Sequence, residues 1–172
     1  MSDGTARATA PFCPECGMPC DTSSPPVCAT HGAQWALARN APAACVAIVR
    51  DGRVLVTKRA TEPWAGWWEL PGGFQDLDEH PADTAVREAR EEVGLDVTIE
   101  GLIGIYLHHA ADDDVRQVVT YVGTAIGDPS PDPAEVSDWR WVDPASPPEP
   151  MVPQERVALR DLLANTPYHL AR

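Results

Sequence analysis

The chain has 172 residues, enough for one ordinary domain with a buried core plus a small appendage. Its 44% hydrophobic content suits a globular protein. No apolar run is long enough to span a membrane, and the opening Met1-Ser2-Asp3-Gly4 lacks the charged and apolar regions of a signal peptide, so the expected location is cytoplasmic. Thirteen basic against 26 acidic residues leave a formal charge of −13, which removes the general field that draws nucleic acid or anionic membranes; nucleic acid and membrane partners are therefore not expected.

Residues 1–10 are small and polar and read as a disordered tail. Four of the five cysteines follow within the first 28 residues, a clustering that in a reducing compartment points to metal rather than disulfides. Cys13-Pro-Glu-Cys16-Gly17 and Cys28-Ala-Thr-His31-Gly32 share one pattern: a ligand, two residues, a ligand, then glycine. Over residues 11–33 this resembles the paired knuckles of a zinc ribbon, in which each turn offers two ligands to one tetrahedral Zn²⁺. Cys13, Cys16, Cys28 and His31 are the expected set, with Cys20 the alternative to His31 as fourth ligand. Four protein ligands would leave no open position, so the zinc is expected to be structural. A segment this short has too little core to fold without it.

After a junction over residues 33–42, the apolar runs Ala43–Val49 and Val54–Thr57 read as strands, and Asp51-Gly52 between them signals a hairpin. Lys58, the only lysine in the chain, and Arg59 end the second strand, where a solvated strand end and phosphate contact are equally good readings. Trp64, Trp67 and Trp68 fall among turn formers. Trp68 reads as core, whereas Trp64 or Trp67 could stack on a nucleobase.

Pro71, Gly72 and Gly73 break regular structure, and a helix is expected from Pro81 until Gly94 stops it. Ala82, Ala85, Val86, Ala89 and Val93 gather on one side as an apolar stripe. Glu88, Glu91 and Glu92, at i, i+3 and i+4, are neighbours expected on the opposing side. Most acidic runs are solvated faces, but clustered carboxylates are also what Mg²⁺ requires, and bound metal would offset their repulsion.

Beyond the helix, Val97–Ile99 and Leu102–His108 read as two strands, His108 and His109 as strand-end surface residues, and Ala110–Asp114 as a loop. Val115–Ile126 is another strand, Gly127–Glu135 is irregular, and Trp139–Val142 is a strand. A proline-rich connector leads to a helix near Gln154–Ala164 that turns Val157, Leu159, Leu162 and Leu163 inward. These elements indicate a mixed α/β layered fold.

The spacing Gly73, five residues, Glu79, seven residues, Arg87-Glu88-Ala89, one residue, Glu91-Glu92, one residue, Gly94-Leu95 resembles the complete Nudix box. Gly66, Trp68, Pro71, Gly72 and Gly73 also fit the lead-in that Nudix proteins commonly show. The resemblance implies an α/β/α sandwich over residues 42–165. It also implies Mg²⁺- or Mn²⁺-dependent hydrolysis of a nucleoside diphosphate linked to another group. Carried over by position, Glu88 and Glu92 are metal ligands with Glu91 a third, and the Gly73 carbonyl is an additional ligand. Arg87 orients the glutamates together with Glu79. The base is Glu88 or an acid outside the box, with Glu135 and Asp112–Asp114 as candidates. Lys58, Arg59, Trp64 and Trp67 are the candidate substrate contacts.

A zinc ribbon ahead of such a domain resembles NADH pyrophosphatases. Their Ser-Gln-Pro-Trp-Pro-Phe-Pro motif is missing, because Asp96–Ile105 reads Asp-Val-Thr-Ile-Glu-Gly-Leu-Ile-Gly-Ile. The proline of ADP-ribose hydrolases has no counterpart in His108–Asp113. ADP-ribose, a dinucleotide and a nucleoside triphosphate stay open as substrates. The competing reading is a nucleotide-sensing module whose ribbon contacts a protein, and a homodimer is the expected assembly.

Overall fold

The computed structural model describes residues 12–13, 15–23, 26–33, 42–111 and 114–164. The expected tail, residues 34–41 of the junction, and Asp112 and Asp113 lie outside the described residues. The chain divides into two compact units between Arg39 and Asn40.

In the first unit, β1 (Val27–Cys28) pairs antiparallel with β2 (Gly32–Ala33), matching Val27 to Ala33 and Cys28 to Gly32. A tight turn closes Cys13 to Gly17, whose N–H donates to the Cys13 carbonyl at 2.8 Å. Cys13 and Cys28 are buried, whereas Phe12, Met18 and Val27 are exposed. These side chains do not form an apolar core.

The second unit is built outward from β3 (Ala43–Arg50), an uninterrupted apolar run of the kind a strand covered on both faces requires. Ala44, Val46 and Ile48 enter one core cluster, and Cys45 and Ala47 enter the other. The hairpin to β4 (Arg53–Arg59) turns at Asp51 and Gly52, both at positive φ (50° and 73°), as a two-residue primed turn demands. The two strands pair only beside that turn, through Val49–Val54 and Arg50–Arg53, and then take different neighbours. β3 pairs with β6 (Gly72–Phe74) and, in parallel, with β8 (Asp114–Ala125). β4 pairs with β5 (Trp68–Glu69) and β9 (Val136–Val142).

β7 (Val97–Ala111) is one long strand against β8, not the two expected. Glu100 and Gly101, the gap between the two expected strands, fall at a register shift between Ile99 and Gly101, and a second shift lies between Leu102 and Gly104. The bulges absorb the irregularity without ending the strand.

Helix α1 (Pro81–Val93) places Ala85, Ala89 and Val93 in the first cluster, and α2 (Pro153–Ala164) places Leu159 in the second. The sheet is thus covered on both faces, a mixed α/β/α arrangement. Each fully buried Val, Leu or Ile side chain contributes about 1.5–3 kcal/mol relative to exposure. Trp68 is buried as expected. Leu163, expected to face inward, is 54% exposed, because the buried stripe of α2 runs through Glu155, Ala158 and Leu159. Among the described residues no helix is long and apolar enough to cross a membrane.

Candidate functional site

α1 is fixed at both ends. The His80 ring caps its start, Nδ1 accepting the Ala82 N–H at 3.1 Å, and Gly94 closes it at φ 68° with its N–H on the Arg90 carbonyl at 3.0 Å. Burying Ala85, Ala89 and Val93 sets the rotation of the helix, and hence the direction of its carboxylates.

Arg87 is the hub of that face. Its Nε donates to Glu79 Oε1 at 2.9 Å, and its Nη2 donates to Glu79 Oε2 and the Phe74 carbonyl, both at 3.0 Å. Its Nη1 donates to Glu88 Oε1 at 2.8 Å and to Glu91 Oε2 at 2.9 Å. Glu79 also accepts the Thr84 hydroxyl at 2.7 Å. The Arg87 guanidinium, helped by Thr84, holds the Glu79 carboxyl down at about 2.

Glu92 departs from the expected solvated side. It is 6% exposed and accepts the Gly72 N–H at 3.1 Å. It lies one turn from Ala89 and beside Val93, so the rotation that buries them carries it inward. Burial, then the nearby Glu69 charge, pushes its carboxyl well above the ordinary range. Glu88 is raised as well, chiefly by desolvation and against the pull of Arg87. Glu91 remains exposed.

The Gly72-Gly73 pair has a steric reason. A Cβ on Gly72 would stand 2.4 Å from the Cys45 Cβ, and one on Gly73 would stand 2.5 Å from the Glu88 Cδ. Side chains there would push the lead-in off β3 or displace Glu88. Gly72, Gly73, Arg87, Glu88 and Glu92 form one wall of a cavity of about 810 Å³.

This segment lies within a wider likeness. The family model described as NUDIX domain matches residues 39–162. The chain belongs to the Nudix family. A MutT-like protein of Streptomyces ambofaciens is 44% identical over 61 residues, 36% of this chain and 38% of that protein. An ADP-ribose pyrophosphatase of Methanocaldococcus jannaschii is 39% identical over 59 residues, 34% of this chain and 35% of that protein. The match thus spans little more than a third of either curated relative. The crystal structure of the MutT NUDIX hydrolase from Burkholderia pseudomallei superposes with a TM-score of 0.68 at 31% identity, covering 72% of this chain and 98% of that one.

The other walls of the Nudix cavity come from scattered positions. Arg59 lines it, with Nη1 donating to both Glu69 carboxylate oxygens at 3.0 Å. Trp64 lines it too, braced by Trp67, whose ring meets it edge-on at 4.5 Å between centroids. Lys58 stands away from this lining, its Nζ 5.7 Å from the centroid of the Trp68 ring. Glu135 lines the cavity.

Five lining residues escaped the sequence reading: Glu69, His108, Arg116, Gln154 and Glu155. Glu155 is buried, and its carboxylate accepts the Leu70 N–H. Burial, then Glu69, pushes it well above the ordinary range, and burial against the pull of Arg59 brings Glu69 up to about 7. His108 is buried rather than a strand-end surface residue, because β7 continues past it and α2 packs on β7. Its Nδ1 donates to Gln154 Oε1 at 2.8 Å. Arg116 stands opposite His108 across the β7–β8 pair, its guanidinium 4.6 Å from the Phe74 ring centroid. The signal available was the spacing of Glu155 with Ala158, Leu159 and Leu162, i, i+3, i+4 and i+7, a buried stripe that begins on a carboxylate.

In the first unit the donor atoms of Cys13, Cys16, Cys28 and His31 all lie within 4.8 Å of one another, and Cys20 is outside that group. Cys13 Sγ is 3.5 Å from His31 Nδ1, and Cys16 Sγ is 3.8 Å from Cys28 Sγ. Backbone N–H groups of His31 and Thr30 bring the Cys28 thiol down to about 6, near the thiolate form that binds metal.

Proposed function

We propose that this Nudix protein is a pyrophosphohydrolase. It would use Mg²⁺ or Mn²⁺ to cleave the diphosphate of a nucleotide linked to a second group. The observation that carries this reading is the Arg87 clamp on Glu79, Glu88 and Glu91 beside the buried Glu92, with Arg87, Glu88 and Glu92 lining a cavity wide enough for a nucleotide. Glu88, Glu91 and Glu92, with the Gly73 carbonyl, are an all-oxygen donor set, the kind hard divalent cations take. Burial pushes the Glu92 and Glu88 carboxyls upward, and carboxylates so placed are those that gain most from a nearby cation. When bound, such an ion neutralises phosphate charge and activates water for in-line attack.

The protein's own groups do the rest. Arg87 keeps the carboxylates in register through charge-assisted bonds. Gly73 allows the lead-in backbone to lie against Glu88. Glu88, whose proton affinity burial raises, or Glu135 on the cavity wall takes the proton of the attacking water. Arg59 and Arg116 supply positive charge on walls otherwise rich in carboxylates.

The reading extends to the first unit as a structural zinc ribbon. Tetrahedral zinc sets sulfur–sulfur and sulfur–nitrogen separations of about 3.8 Å and about 3.5 Å, which the Cys16–Cys28 and Cys13–His31 distances match. The ribbon at residues 11–33, the Nudix domain at 42–165, a cytosolic location and a homodimer belong to the same proposal. Light scattering of the purified protein decides the last. The deciding experiment incubates the protein with NADH, ADP-ribose, dinucleoside polyphosphates and nucleoside triphosphates in Mg²⁺ or Mn²⁺ and identifies products by chromatography. A monophosphate plus a phosphorylated fragment is expected. Tight nucleotide binding without turnover would replace this reading with the nucleotide sensor.

A further inference from the structure

Resting on the reading above, we propose that Trp64, His108 and Gln154 form a nucleobase subsite in the cavity, so that the substrate is recognised by its base as well as by its diphosphate. Three independent features meet there. First, Trp64 is a bulky residue at φ 74°, a left-handed conformation that side chains of this size rarely adopt and that surrounding structure must enforce. The edge-on contact with Trp67 braces the ring, which lies 5.7 Å from the His108 ring at a 57° tilt. This conformation places the indole in the cavity wall.

Second, His108 and Gln154 satisfy each other through a single bond and leave complementary atoms over. With His108 Nδ1 donating to Gln154 Oε1, the neutral ring keeps Nε2 as an acceptor and the amide keeps its NH₂ as a donor. Neither atom has a protein partner among the described residues. No buried side-chain nitrogen or oxygen there is left unpartnered, so both atoms must open to solvent-filled space, and both residues line the cavity. A nucleobase edge presents an adjacent acceptor and donor that such a pair can meet.

Third, the two kinds of chemistry come from different walls. Arg87, Glu88, Glu92 and Gly73 are supplied by the box segment, whereas the indole, imidazole and amide come from the loop after β4, from β7 and from the start of α2, where Glu155 adds a further carboxylate. A nucleotide has the same two ends: an anionic chain that needs cations and a flat ring that needs a stacking face and a polar edge.

The test compares wild type with Trp64→Ala, Trp64→Phe and Gln154→Leu, each checked for an unchanged circular-dichroism spectrum. Trp64→Ala should raise KM for nucleotide substrates about tenfold or more while kcat falls less than about threefold, and Trp64→Phe should recover most of the loss. Gln154→Leu should alter the ranking of the four bases. Hydrolysis of the base-free 5-phosphoribosyl diphosphate should respond far less to either change. Equal losses on base-bearing and base-free diphosphates overturn the subsite and leave the hydrolase standing. If no substrate turns over, calorimetry with AMP, GMP, CMP and UMP against ribose 5-phosphate decides alone. At least one nucleotide should bind about tenfold more tightly than ribose 5-phosphate and lose that margin in Trp64→Ala. Binding no tighter than that of ribose 5-phosphate refutes the proposal.

Discussion

Among the described residues, the Cys/His cluster and the proposed carboxylate site are built in opposite ways. Around Cys13, Cys16, Cys28 and His31 there are two strands of two residues each and exposed Phe12, Met18 and Val27, so the donors themselves are the nearest thing to a core. Around Glu88 and Glu92 a covered sheet and a capped helix exist before any ion arrives, and the carboxylates are held inside at a cost. On the proposed reading, the first arrangement would use metal to make structure, and the second would use structure to make a place for a cation. Metal should therefore be required for one unit's fold and only add to a fold already formed in the other.

That contrast can be broken most sharply at Cys13. Cys13→Ser, or a strong zinc chelator, should abolish the fold of residues 12–33 outright: hydrogen exchange there becomes that of an unfolded chain, while protection in β3 and α1 persists. Retained protection in the first unit would mean that it has a core of its own. Next in size, Glu92→Gln should lower kcat by at least about 100-fold, with a melting temperature equal to or above that of the metal-free wild type, because the variant removes a buried charge. Near wild-type turnover would remove Glu92 from the metal site. Arg87→Ala should cost about tenfold or more in kcat, and Arg87→Lys should rescue little, since a point charge cannot replace the fork that reaches Glu79, Glu88 and Glu91.

The smallest effect is on acid stability. Glu79 titrates at about 2 in the folded protein against the ordinary 4.5, so it binds fewer protons folded than unfolded across that interval. Its stabilising contribution is whole above pH 4.5 and disappears as the pH falls towards 2. Glu79→Gln should make the melting temperature fall less steeply over that window. An unchanged slope would show that Arg87 does not hold Glu79 in solution.

Local chemistry made the box helix readable. Pro81, Gly94 and the spacing of Ala85, Ala89 and Val93 are written within one segment, and the helix forms where they put it. The Asp51-Gly52 turn and the doubly covered β3 were legible for the same reason. Glu92 was misplaced because three carboxylates at helical spacing look alike until the rotation of the helix is known. His108, Arg116 and Gln154 were illegible because long-range pairing makes their surroundings: His108 meets Arg116 only through the β7–β8 register, and it meets Gln154 only when α2 packs on β7. Glu155 left one local trace, its place at the head of the Ala158, Leu159 and Leu162 stripe.

The bond between Glu155 and the Leu70 N–H also bears on the order of synthesis. The lead-in segment is held on one side by Glu92 through Gly72 and on the other by Glu155 through Leu70. The second support belongs to α2, the last described element to leave the ribosome. A nascent chain stopped before Pro153 would carry the whole box helix yet lack one wall of its cavity and half the grip on its lead-in. Nucleotide binding should therefore switch on late and abruptly with chain length, after the box itself has folded.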